Sequence, residues 1–213
     1  MNTISIEKEY VFDYIKDILA INKTSLTLIK DAKYHHNSAY SVASKICKYG
    51  ILTFEELNQY GFRNDSIDII KTMSDISSHA NGIEHVSLAV TGLVDLYNNE
   101  EEYNPYKSDK VDFRISSELK TRRYSVNYGN EFLSYGSIPN NMIKSIDVRF
   151  VELIEKSSID DVVNIIDKYN CLIDIAASIE SEGLDIPLRL LSYDGCDINK
   201  SKLAISPKIL IKK

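Results

Sequence analysis

Glu131 is the acidic residue whose setting most needs a physical explanation. It opens the run Asn130–Tyr135, which alternates: Glu131, Leu133 and Tyr135 share one face of a strand, while Asn130, Phe132 and Ser134 share the other. A carboxylate on the face of Leu133 is costly to bury unpaired. Glu131 therefore lies in a cleft, has a partner, or sits at a strand end and points to water. The second group able to do chemistry is the pair His35–His36. Tyr34–His36 reads as a strand or strand end, and Asn37 or Ser38 as the cap of a following helix. Val42, Ala43, Ile46 and Cys47 give that helix a buried face, and Gly50 stands where a helix end favours a left-handed residue. A histidine is thereby delivered to a strand–helix junction, where backbone N–H groups lack partners and bind ligands readily. For either ring the alternative is a histidine packed for structure.

The elements that must position these groups follow from periodicity. Residues 6–21 predict an amphipathic helix, with Ile6, Tyr10, Val11, Tyr14, Ile15, Ile18 and Leu19 on one face. A short apolar piece, Leu26–Ile29, follows. Residues 53–80 read as helical or irregular with a break at Tyr60–Gly61, and Asn81–Gly82 is a turn signal. His85–Val90 predicts a core strand with Val86, Leu88 and Val90 inward. The stretch 92–109 reads as a mobile loop serving as a lid, and its Glu100–Glu102 run as a solvated bulge rather than a metal site. Val111, Phe113 and Ile115 alternate with Asp112 and Arg114 in a further strand. The Glu131 strand and a second one over 146–150 are joined by the turn material Gly136–Asn141. Ser158 and Asp161 resemble a capping box, opening a helix whose stripe Val162, Val163, Ile166, Tyr169, Ile173 and Ala176 runs to about Ile179. No repeat or linker interrupts the chain, so residues 1–213 are expected to form one domain.

Composition narrows the function classes. The chain has 213 residues and a net charge of −6, with a pI of about 5.3, which does not favour a broad nucleic-acid footprint. No apolar run is long enough to span a bilayer, and no signal peptide opens the sequence, so a cytoplasmic location and no membrane partner are expected. Three cysteines without paired spacing fit reduced thiols and provide no zinc pattern.

Three stretches together resemble the ADP-ribosyltransferase superfamily. His36-Asn37-Ser38, followed by a helix and Gly50-Ile51-Leu52, is similar to its H-x-T/S strand and the helix ending in G-x-L. Val86-Ser87-Leu88 resembles the central strand. Asn130-Glu131-Phe132-Leu133 with Ile138-Pro139, Ile143 and Ile146 resembles the block around the catalytic glutamate, most like that of the DNA-targeting toxin branch. The likeness covers roughly residues 33–150, with flanking helices over 6–30 and 158–182. It implies an α+β fold: a split, mostly antiparallel ADP-ribosyltransferase-like sheet with helical N- and C-terminal additions. The implied function is an NAD-dependent ADP-ribosyltransferase, a toxin or phage-conflict effector, with NAD as co-substrate, no metal, and a protein or nucleic-acid acceptor. In that reading Glu131 is catalytic. His36 holds a ribose hydroxyl of NAD, with His35 as the alternative if the register slips by one. Ser38 and Ser87 support the site, and Tyr97, Tyr103 and Tyr128 are the candidates to stack on nicotinamide. Arginine-modifying members carry an acidic residue two positions before the glutamate; here it is Gly129. Members that remove an RNA 2′-phosphate use a basic set that His35, Arg122 and Arg123 do not reproduce. The alternative is a catalytically inactive module of the same family that binds a nucleotide or a partner protein.

Overall fold

The computed structural model describes residues 2–21, 23–25, 31–62, 84–90, 110–123, 131–190 and 196–212. In chain order these form β1 (Thr3–Ile6), α1 (Val11–Ile21), β2 (Lys23–Ser25), β3 (Ala32–Ala39), α2 (Tyr40–Tyr49) and α3 (Phe54–Gln59). Next come β4 (Ser87–Ala89), β5 (Lys110–Ser116), β6 (Thr121–Arg123), β7 (Glu131–Ser134) and β8 (Ile143–Val148). The chain closes with α4 (Phe150–Lys156), α5 (Val162–Ser181), β9 (Leu188–Leu190), β10 (Cys196–Ile198), α6 (Lys200–Ala204) and β11 (Lys208–Ile211). Helices and a mostly antiparallel, open sheet are combined. Among the described residues nine strands run in the order β2-β10-β9-β8-β5-β3-β4-β7-β6, and in this sheet only β8 and β9 pair in parallel. Among the described residues no helix is long and apolar enough to cross a membrane.

The sheet has two unlike faces, because residues paired in register share a face. Tyr34, His36 and Ser38 of β3 lie opposite Ile115, Phe113 and Val111 of β5, and that face continues through Ile146, Leu188 and Ile198. Its apolar residues are buried in one cluster with Val11 and Ile15 of α1 and Ile165, Tyr169 and Leu172 of α5. The other face carries His35, Arg114 and Ser145 in one row, and Asn37, Asp112, Asp147, Arg189 and Asp197 in the row beside it. Asp147 accepts from Arg114 Nε at 3.1 Å, from Arg189 Nε at 2.6 Å, and from Ser145 Oγ at 3.0 Å. Arg114, Asp147 and Arg189 are all buried. Alternation alone would leave Asp112 and Arg114 facing water. Instead, Arg114 pairs with Asp147 away from it through Nε, while Arg114 Nη2 is buried without a hydrogen-bond partner among the described residues.

Several expectations are corrected. The first helix begins at Val11, not residue 6. Ile6 belongs to β1, which pairs in parallel with β11 from the far end of the chain, and Tyr10 is 61% exposed. That partner is some two hundred residues away, so no local pattern announces it. Asn37 and Ser38 do not cap a helix. β3 continues through them because its ladder with β5 runs to Ala39↔Lys110, and α2 starts after Ala39 without a side-chain cap. β7 and β8, consecutive in the chain, are separated in the sheet by β4, β3 and β5. Phe150 leaves the strand and opens α4; it is fully buried against Tyr169, which explains why the apolar alternation ran one residue too far. Val163 lies off the buried stripe of α5 and is 56% exposed. The Ser158–Asp161 capping box forms, but it caps a 3-10 turn over Ile159–Asp161; α5 follows at Val162 without a side-chain cap of its own. The piece Leu26–Ile29, the Asn81–Gly82 turn and the 92–109 stretch lie outside the described residues.

Candidate functional site

The β3–α2 junction builds a cavity of about 270 Å³. His36 and Ser38 supply the strand side. Val42, Lys45, Ile46 and Tyr49 of α2, the chain Gly50–Leu52, and Leu57 and Phe62 enclose the rest. The chain can fold this closely because of Gly50. Its φ is +78°, a region L side chains rarely adopt, and a Cβ there would collide with the carbonyl oxygen of Ile138. Ile51 N–H then donates to Ile138 O at 2.8 Å, and Ile51 O accepts from Ile138 N–H at 2.9 Å. On the far side, Thr53 caps α3 with Glu56 in a full capping box, and Thr53 N–H donates to Ser137 Oγ at 2.8 Å. Asn140 Nδ2 donates to Cys47 O at 3.2 Å. The wall is thus tied to the turn that follows β7.

Proton placement on His36 follows from its partner. Its Nδ1 lies 3.1 Å from the Ser87 carbonyl oxygen. A carbonyl only accepts, so Nδ1 carries the proton and Nε2 is left as an acceptor. Burial pushes the His36 pKa below its ordinary value, partly opposed by the Ser87 carbonyl, so the ring is neutral near pH 7. The rim is aromatic: Tyr60 and Phe62 stack at 5.9 Å, Tyr49 lies 5.2 Å from Phe62, and Lys45 Nζ sits 4.9 Å from the Phe62 ring centre. Cys47, on the buried side of α2, has its thiol pushed up to about 12 by burial, which removes it as a nucleophile.

The strands bearing His35–His36, Ser87 and Glu131 are neighbours, in the order β3-β4-β7. β3 and β4 meet through the single pair His35↔Ala89, whereas β4 and β7 pair at three positions, including Ala89↔Glu131. The backbone register therefore sets Glu131 in the row of Ala89 and His35, on the face of the sheet opposite the row of His36. Tyr34 holds the lower end of this junction: its ring lies 5.6 Å from Phe132, and its hydroxyl shares a 2.9 Å hydrogen bond with Thr121. His36 and Ser38 line the cavity, and Ser87 meets His36 through its backbone carbonyl. His35 lies on the opposite face, buried, with its pKa lowered to about 4 by burial first and by Arg114 next. Tyr97, Tyr103 and Tyr128 lie outside the described residues.

Two groups of residues escaped the sequence reading. Lys45, Tyr49 and Phe62 at the cavity mouth left one trace: Val42, which the apolar pattern assigned to the buried face but which is 40% exposed, shares the outward face of α2 with Lys45 and Tyr49, three and four apart. The Asp147 network left none, because its members come from three strands. No protein-family model matches the sequence, and no curated protein matches it.

Proposed function

We propose that this chain is an NAD-dependent ADP-ribosyltransferase that binds its dinucleotide at the β3–α2 cavity and across the β3–β4 junction. The observation that carries this reading is the juxtaposition of three motif-bearing strands, about 95 residues apart at the extremes, as consecutive neighbours beside a cavity lined by His36 and Ser38. In it, His36 Nε2 accepts a hydrogen bond from a ribose hydroxyl. Ser87 is the supporting residue, holding the imidazole through its carbonyl. Of the two histidines His36 takes this role because it lines the cavity, whereas His35 is engaged with the ionic face. Glu131 is assigned as the catalytic carboxylate; its register position is in the row of His35 rather than that of His36, so the ligand reaches it only across the β3–β4 junction, where the two strands share a single pair. As the bond between ribose C1′ and nicotinamide breaks, its electron pair leaves with nicotinamide, and an anion beside C1′ stabilises the cationic ribose. The acceptor's nucleophile then bonds C1′ and gives up a proton.

Incubation with labelled NAD and cell lysate tests this. The parent chain transfers label and releases nicotinamide, and Glu131→Gln transfers at least a hundredfold less. Transfer by the variant at the parent's rate removes Glu131 from the chemistry. Binding of NAD without nicotinamide release marks a binding module instead.

A further inference from the structure

Hydrogen-bonding and charge character of the cavity wall limit what can occupy it. Its walls are aliphatic and aromatic, and its polar contributors on β3 are an imidazole acceptor and the Ser38 hydroxyl. Among the described lining residues there is no carboxylate, and His36 is neutral, so Lys45 is the one formal charge. That ammonium is placed at the mouth against the face of Phe62. An acceptor for a hydroxyl, a flat aromatic wall and a single cation at the rim together match a sugar hydroxyl, a base and a phosphate.

We infer that Lys45 is a specificity-determining residue, and that the cavity selects a nucleoside carrying a phosphate over the same nucleoside without one. This rests on the nucleotide-binding reading above and sharpens it by naming the group that discriminates. Lys45 is exposed, as are Val42 and Tyr49 beside it, so the phosphate stays at the rim while the base enters between α2 and Phe62. The Lys45–Phe62 contact holds the ammonium at the mouth before the ligand arrives. Because the pair forms at the surface, its strength falls with salt.

Calorimetric titrations of the whole chain with ADP, adenosine and inorganic phosphate test this. The parent binds ADP at least tenfold more tightly than adenosine, and more tightly than inorganic phosphate. The preference over adenosine weakens as salt is raised. Lys45→Met keeps the packing against Phe62 and binds adenosine as the parent does, but loses the preference for ADP; Lys45→Arg restores it. Equal affinity of the parent for ADP and adenosine, an undiminished preference in Lys45→Met, phosphate alone binding as well as ADP, or no binding of either nucleoside compound overturns the inference. Failure here is separable from failure of the transferase reading. Label transfer from NAD that ignores Lys45 leaves the transferase and removes this selectivity; Lys45-dependent ADP binding without transfer does the reverse.

Discussion

His35 and His36 are neighbours in the chain and occupy opposite faces of β3, and their surroundings differ in kind. His35 sits directly across from Arg114, whose guanidinium is held by Asp147. Burial and that cation both act against a second positive charge, which is why its pKa falls to about 4. His36 faces a largely apolar cavity; burial lowers its pKa, and a backbone carbonyl fixes its tautomer. Both rings are neutral near pH 7, one beside the paired charges of Arg114 and Asp147 and one beside open space. A single residue of register thus separates a histidine that serves the sheet from a histidine that can meet a ligand.

Removing the charge from the polar face should have the largest effect. Asp147→Ala leaves Arg114 and Arg189 buried without their shared carboxylate, and is expected to destabilise the fold by about 3–5 kcal/mol in a denaturant titration. A loss below about 1 kcal/mol would mean that solvent reaches that face. A smaller effect separates the two histidines by pH. His35 takes up a proton near its ordinary value of 6.5 when unfolded, but only near 4 when folded. Between those values the unfolded chain holds more protons, so stability declines as pH falls from about 6.5 towards 4 and this contribution levels off below. The melting temperature of His35→Gln should fall less over that window than the parent's; identical slopes would show that His35 is not held neutral by its surroundings.

Much of this framework was legible in the sequence, and the limits have physical reasons. Period-two alternation identified β5 from Val111, Phe113 and Ile115, and side-chain capping chemistry identified the 3-10 turn Ile159–Asp161 that leads into α5. Gly50 was readable because only glycine fits its φ and the approach of Ile138. Local pattern carries no information on which strands pair. The adjacency of β1 to β11, the separation of β7 from β8, and the meeting of Arg114, Asp147 and Arg189 are products of the sheet order alone. In the candidate site, sequence supplied His36, Ser38 and Ser87 but left the choice of histidine open, since one residue of register reverses the face. Lys45 and Phe62 were missed because a lysine over an aromatic ring at a cavity mouth has the sequence pattern of any solvated helix face.

Histidine-selective NMR during titration with NAD tests the placement of the ligand most directly, with the resonances assigned through His35→Gln and His36→Gln. Nucleotide in the β3–α2 cavity shifts the Nε2 signal of His36 as its lone pair accepts a hydroxyl, and leaves His35 unmoved. A shift of His35 with His36 unchanged would put the ligand on the ionic face, in the row of Glu131, and contradict the cavity as its site.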